Sequence, residues 1–245
     1  MRRPGNLWTA WYLAHFGAMA KWQRFEVQGL DVLLQDKPYM IVGYHGRPLA
    51  WDLLMLGTVI HREKGYLPHG LIHAAFQHGV AGHMIRELGF VVADSPELAA
   101  ALGRGEHMLV APGGIREGCR DHRYRYRVDW PDKYGYLKMA LRHGLQIVPV
   151  AATGVDDMYV GLNDGGRLGE KIAMPLGFPL WFGLGPAGLW PLSVPFPVKV
   201  TQRIGTPIDL AARGVRADDK QALLSIHREL GATIQATLDA LRAGN

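Results

Sequence analysis

Tyr39-Met40-Ile41-Val42-Gly43-Tyr44, running directly into His45-Gly46-Arg47-Pro48-Leu49-Ala50-Trp51-Asp52, decides how the rest of the chain is read. The first six residues form a short, apolar run with no polar alternation, as expected of a strand buried on both faces. A histidine follows at once. The next residues hold Gly46 and Pro48, which favour a loop, and Asp52 stands where a helix is expected to start, a natural N-cap position. The same short apolar run recurs at residues 89–93 (GFVVA), 108–111 (MLVA) and 146–151 (QIVPVA). Helical patterns occupy residues 52–61, 79–88, 96–102 and 134–142 between them. Strands alternating with helices predict an α/β fold, a central and mostly buried mixed sheet flanked by helices. Residues 196–204 (FPVKVTQRI) read as a later strand. In the tail, Leu223, Ile226, Leu230, Ile234, Leu238 and Leu241 recur at helical spacing, the pattern of a helix laid on the core.

Length and composition bound what this fold can do. The 245 residues suffice for one well-buried domain, and 48% hydrophobic content is globular rather than disordered. The net charge of +5 suits ordinary solubility, and also attraction to lipid headgroups, a nucleotide-bearing cofactor or nucleic acid. Cys119 is the one cysteine, so no internal disulfide forms. No stretch reaches the roughly 18 to 20 apolar residues of a spanning helix. Residues 7–20, set between Arg2/Arg3 and Lys21, have three readings: a signal peptide, a core helix, or a helix in the membrane interface rich in Trp8, Trp11, Tyr12, Phe16 and Trp22. The third sets the expected organisation, residues 1–29 as an amphipathic interfacial helix and 30–245 as the main domain. Residues 175–197 combine many Gly and Pro with Trp181, Phe182, Trp190 and Phe196, which excludes a regular helix. That segment reads as a loop over the core, or as a lipid-facing flap or part of an acyl pocket.

Two blocks carry chemistry. In the first, the neutral imidazole of His45 can take a proton from a hydroxyl, and Asp52 can hold the ring tautomer and steady the imidazolium. The second, Ala111-Pro112-Gly113-Gly114-Ile115-Arg116-Glu117-Gly118, also follows an apolar strand. Gly113 and Gly114 allow close backbone approach to an anion, Arg116 can grip a phosphate or carboxylate, and Glu117 can fix Arg116 or bind a hydroxyl. Arg120 to Arg127 (RDHRYRYR) interleaves arginine with tyrosine. This suits a solvated strand face, a single-stranded nucleic acid, or the phosphates of a coenzyme A donor or membrane, and the last is favoured because no nucleic-acid fold signature accompanies it. His69, His73, His78 and His83 are dense, with His69 and His73 at i,i+4, but no carboxylate or cysteine set completes a metal site and none is expected.

Together these blocks resemble the glycerolipid (PlsC-like) acyltransferase superfamily, and more closely its branch with type 2 diacylglycerol acyltransferases and related transmembrane acyltransferase-like proteins. The first block is similar to YHG…P…D, here Tyr44-His45-Gly46…Asp52, and the third to PGG followed by a glutamate, here Pro112 to Glu117. Residues 88–93 and Ile147-Val148-Pro149-Val150 match the intermediate and fourth blocks, so the likeness spans about residues 30–209. The resemblance implies transfer of a fatty acyl group from acyl-CoA, or an acyl carrier protein thioester, to a glycerolipid hydroxyl, with mono- or diacylglycerol favoured. It implies His45 and Asp52 as the catalytic pair and Gly113, Gly114, Arg116, Glu117 and Arg120 as substrate contacts, with no acyl-enzyme and no bound cofactor. Lysophosphatidate acylation and a catalytically silent lipid-binding protein are the alternatives. Membrane lipids are the expected partners, at the cytoplasmic face. One departure stands out: the superfamily has four residues between His and Asp, and this chain has six, so the loop must bulge for Asp52 to reach the ring.

Overall fold

The computed structural model describes residues 7–72, 83, 86–93, 95–171 and 179–244. A seven-stranded mixed sheet forms its centre. In chain order the strands are β1 (Glu26–Gln28), β2 (Tyr39–Gly43), β3 (His69–Ile72), β4 (Val91–Val92), β5 (Met108–Val110), β6 (Gln146–Thr153) and, after a small separate sheet, β10 (Thr201–Ile204). They lie side by side as β1-β10-β6-β2-β5-β3-β4. All neighbours are parallel except β10 with β6.

β2 is central and wholly buried, and its period of two feeds two cores. Met40 and Val42 point into one, Tyr39 and Ile41 into the other. Helix α2 (Trp51–Lys64) follows β2 and contributes Leu53, Leu56 and Ile60 to the second core and Met55 to the first. Gly43 allows this packing, since a side chain there would press on Leu53. The tail forms one helix over Lys220–Ala243, capped by Asp219, and buries all six of the residues its spacing singled out. Shorter helices cover Pro96–Gly103 and Gly135–Arg142, close to the expected bounds.

Several expectations shift. The helix expected at 79–88 lies mostly outside the described residues, as do His73 and His78. His69 opens β3 rather than a helix, and its ring pairs with Glu106 at 2.8 Å. Among the described residues no group of side chains could hold a metal. Residues 196–200 are not strand, because Pro195 and Pro197 remove the donors a ladder needs. Within 175–197, whose first four residues lie outside the description, Gly183–Gly185 and Gly188–Leu189 pair as a hairpin, β8 and β9, and β8 pairs with β7 (Val160–Gly161). Trp181 is buried beneath this small sheet, while Leu184, Leu189, Leu192 and Val194 are exposed.

Helix α1 (Leu7–Trp22) has two faces. Tyr12 and Phe16 are buried, with the Tyr12 hydroxyl donating to the Leu54 carbonyl at 2.7 Å and Phe16 packed edge-on to Trp51. Leu7, Trp11 and Trp22 remain exposed. The chain just beyond is tied down too, since Gln23 donates to the Phe196 carbonyl. No helix among the described residues is long and apolar enough to cross a membrane.

Candidate active site

The parallel register of β2 with β5 explains where the chemistry gathers. Val42 pairs with Val110, so His45 and Gly113 each lie three residues past the same rung, at the carboxyl ends of adjacent strands. β6 flanks β2 on the other side, with Gly43 opposite Val150, and its continuation delivers Asp156 to the same edge.

His45 is held from both ends. Its backbone N–H donates to Glu117 Oε2 at 2.9 Å. Its Nδ1 lies 3.0 Å from the Arg47 carbonyl oxygen. A carbonyl can only accept, so Nδ1 carries the proton and Nε2 keeps its lone pair. No described residue hydrogen-bonds Nε2. Desolvation by the surrounding protein lowers the imidazole pKa to about 4, against the pull of the Arg47 carbonyl, so the ring is neutral at ordinary pH.

The expected contact from Asp52 to this ring is not made. Helix α2 starts at Trp51 with Ala50 as its cap, so Asp52 sits inside the first turn rather than at the N-cap. Its carboxylate is wholly buried, and neither oxygen has a hydrogen-bond partner among the described residues. Burial raises its pKa well above the usual range, although the N–H groups of Asp52, Leu53 and Gly46 pull the other way. The six-residue spacing accounts for this. The extra length is taken up by two left-handed residues, Arg47 at φ 51° and Ala50 at φ 50°, which turn the Arg47 carbonyl toward the ring. Each such non-glycine residue costs about 1–2 kcal/mol, so the surroundings must enforce the turn.

The second block forms helix α4 (Gly114–Gly118), numbering Pro96–Gly103 as α3. Its residues take roles the sequence did not separate. Glu117 is buried, and its carboxylate accepts from three donors: His45 N, Asp129 N at 3.1 Å and Trp130 Nε1 at 3.3 Å. Burial lifts its pKa to about 7, with Arg120 opposing. It is therefore a strut beneath the His45 loop rather than a free hydroxyl acceptor or a partner fixing Arg116. Gly113 leaves room for that carboxylate, because any side chain there would strike it. The Gly114 N–H is used locally, donating to the Ala111 carbonyl at 2.9 Å. Arg116 is exposed and passes over Gly166. Gly118 has no side chain to strike the Arg47 carbonyl, and a Cβ there would lie only 2.6 Å from His45 Nδ1.

Arg120 is buried rather than on an alternating strand face, and residues 122–124 form a 3₁₀ turn. Its guanidinium lies over the Tyr44 ring at 4.6 Å and donates to the Tyr44 hydroxyl and to the carbonyls of Glu117 and Arg127. The Tyr44 hydroxyl and the Tyr126 N–H both donate to the buried Asp156 carboxylate. Arg47, with no exposed surface, donates through Nε and Nη2 to the Asp156 carbonyl and through Nη1 to the Arg120 carbonyl, and stacks on Trp181 at 5.4 Å. Sequence reasoning passed over Arg47, Tyr126, Asp156 and Gly118 as site residues. Position just past a strand's carboxyl end was the one signal available, and it applied to Arg47 and Asp156.

Beside this platform opens a cavity of about 600 Å³ lined by Gly113, Arg116, Glu117, Arg120, Arg127, Trp130 and Arg167, with Asp129 and Asp164. Four arginines face three acids, one of them Glu117 with its raised pKa, so the cavity favours anions. Arg120 Nη2, buried and without a hydrogen-bond partner among the described residues, lies 3.6 Å from Glu117 Oε1 as an ion pair. Cys119 is buried with its thiol pushed up to about 12, which makes it an inert packing group.

A family model described as Acyltransferase matches residues 24–153, and the chain belongs to that family. The match runs through both blocks and the core strands between them. An uncharacterized protein of Mycobacterium leprae is 32% identical over 91% of this chain and 61% of its own length. A Gallus gallus protein named DGAT1/2-independent enzyme synthesizing storage lipids is 26% identical over 95% of the chain and 67% of its own. The chain thus spans about three fifths of the mycobacterial relative. The fold matches the crystal structure of the 1-acyl-sn-glycerophosphate (LPA) acyltransferase PlsC from Thermotoga maritima, with a TM-score of 0.53 at 18% identity, over 96% of this chain and 80% of that one.

Proposed function

We propose that this chain is an O-acyltransferase that moves a fatty acyl group from acyl-CoA to the hydroxyl of a neutral glycerolipid, with His45 as general base. The observation that carries the proposal is the single tautomer of His45, fixed by the Arg47 carbonyl, which leaves Nε2 as a neutral proton acceptor at the carboxyl edge of the sheet. Nε2 takes the acceptor's hydroxyl proton as the oxygen attacks the thioester carbonyl. The C–S bond then breaks, and the proton passes from His45 to the departing thiolate. No acyl-enzyme is needed, and Cys119 is too protonated to form one. The arginine-lined cavity suits the phosphates of coenzyme A.

A neutral acceptor is supported by the Gallus gallus relative's name, which assigns that protein the synthesis of storage lipids. The test supplies one acyl-CoA with equal lysophosphatidic acid, lysophosphatidylcholine, monoacylglycerol and diacylglycerol. The highest kcat/KM is expected for mono- or diacylglycerol. A value for lysophosphatidic acid above both would overturn the acceptor assignment, and turnover only with acyl carrier protein thioesters would overturn the donor.

Such substrates live in membranes, and the exposed Trp11 and Trp22 of α1, with Leu192 and Val194 near the hairpin, offer an apolar surface to meet them. Trp22 Nε1 donates to the Pro195 carbonyl at 3.0 Å, which ties the helix end to this segment. Deleting the first 24 residues would also strip Tyr12 and Phe16 from the core, so point changes are the cleaner probe. The double substitution Trp11→Ser, Trp22→Ser is expected to weaken binding to anionic liposomes by roughly tenfold or more, given ~1.5–3 kcal/mol for each large side chain fully buried. Unchanged sedimentation with vesicles would move the contact elsewhere.

A further inference from the structure

We infer that, within the general-base reading above, His45 is oriented by the main-chain carbonyl of Arg47, and that the buried Arg47 side chain, clamped between Asp156 and Arg120, is the positioning group that holds this carbonyl in place. Four observations lead there. The first is the contact itself, Nδ1 to the Arg47 oxygen at 3.0 Å, where an orienting carboxylate would otherwise stand. The second is that the nearest acid in sequence, Asp52, has neither oxygen hydrogen-bonded to a described residue.

The third is the backbone of Arg47. At φ 51° it lies in the left-handed region that a residue with a side chain avoids, so something must hold it there. The fourth supplies that something. The guanidinium of Arg47 is fully buried and spends all three nitrogens on fixed carbonyls, Asp156 O through Nε and Nη2, and Arg120 O through Nη1. A planar fork with three bonds fixes the side chain's direction, and a fixed side chain fixes its own Cα and carbonyl. The anchor is itself anchored: the Asp156 carboxylate accepts from Tyr44 and Tyr126, and Arg47 Nε lies 3.9 Å from its second oxygen. Gly118 completes the arrangement from the opposite side, leaving space for the carbonyl that a Cβ would push away.

The direct readout is the tautomer of His45. Protein labelled with ¹⁵N-histidine reports it, and the His45 signals are identified by their absence from His45→Ala. The wild type is expected to show Nδ1 protonated and Nε2 bare. Arg47→Lys keeps the charge but loses the fork, and is expected to shift His45 toward a tautomer mixture and lower kcat at least tenfold, with KM changed less than about threefold. Gly118→Ala displaces the same carbonyl from another element and is expected to act the same way. It carries the test if Arg47→Lys does not fold. Asp52→Asn is expected to leave the Nδ1–H signature in place.

A tautomer mixture in Asp52→Asn, or an unaltered Nδ1–H signature and kcat in the folded Arg47→Lys and Gly118→Ala proteins, would overturn the inference. Undiminished transfer by His45→Ala is a different result. It would remove the general-base reading itself, and is therefore told apart from failure of the Arg47 assignment.

Discussion

Replacing His45 with alanine is expected to lower kcat for acyl transfer by ~10²–10⁴-fold, the usual worth of a positioned general base, while the protein still folds. Folding should survive because the contact that ties residue 45 to Glu117 is made by its backbone N–H, which alanine keeps. The imidazole contributes one hydrogen bond, to the Arg47 carbonyl. Wild-type pH dependence supplies an independent check. Desolvation lowers the His45 pKa from the ordinary 6.5 to about 4. The base is therefore active across the neutral range, and kcat/KM should fall only as pH drops through about 4. The same shift has a stability consequence. Because the folded pKa is depressed, the unfolded chain binds the extra proton between pH 6.5 and 4, so the stability contribution present above 6.5 is lost as pH falls through the folded value. His107 behaves likewise, its pKa lowered to about 4 by burial while it bridges the Tyr39 N–H and the Leu33 carbonyl. Acid destabilisation should thus be reduced but not abolished in His45→Ala. Transfer by His45→Ala within tenfold of wild type would exclude this ring as the base.

Most of the scaffold was legible because it rests on period and register. The apolar run at β2, the following strands and the spacing of the tail helix each follow from local rules, and the structure keeps them. The fold class carries the site with it, since parallel strands β2 and β5 must bring His45 and Gly113 to one edge. What the sequence could not show depends on side chains that cross between elements. An arginine two residues past His45 reads as exposed loop charge, yet Arg47 is buried on carbonyls about 73 and 109 positions away. Asp156 looks like one of a pair of surface acids after a strand, yet it anchors two other segments of chain, the 44–47 loop and Tyr126. Asp52 shows the opposite failure. The family resemblance implied it as the partner of His45 despite the longer spacing, but the two extra residues fold into a left-handed turn that offers a backbone carbonyl instead. Short strands such as β1 and the hairpin β8–β9 were missed for a simpler reason: with two or three residues each, much of it glycine in the hairpin, they leave no hydrophobic period to read.

Arg120→Met is expected to cost ~3–5 kcal/mol of stability, the usual penalty for removing one partner of a buried charged network, and to lower the melting temperature by on the order of 10 °C for a chain of this size. Methionine fills similar volume, so lost packing is minor and the effect isolates the guanidinium. That group joins four segments: it lies over Tyr44, donates to the Tyr44 hydroxyl and to the carbonyls of Glu117 and Arg127, and is an electrostatic counterpart of Glu117 and Asp156. Without it, two carbonyls lose a buried donor and the Glu117 carboxylate loses its compensating charge, the guanidinium 3.6 Å away. The counter-argument is that Glu117 can relieve part of this by taking a proton, since burial already holds its pKa at about 7 and Arg120 works to lower it. That argument makes a further prediction with a definite sign. With Arg120 gone, the folded pKa of Glu117 rises further above its unfolded value, so the folded variant binds the extra proton and its stability falls as pH rises through that range. The deficit relative to wild type should therefore be smaller at pH 5 than at pH 8, and His45, whose pKa Arg120 also lowers, shifts the difference in the same direction. Urea unfolding of both proteins at the two pH values measures it, with Arg120→Lys as an intermediate that keeps the charge but not the fork. A variant melting within about 2 °C of wild type at pH 8 would show that the guanidinium is not what joins these segments.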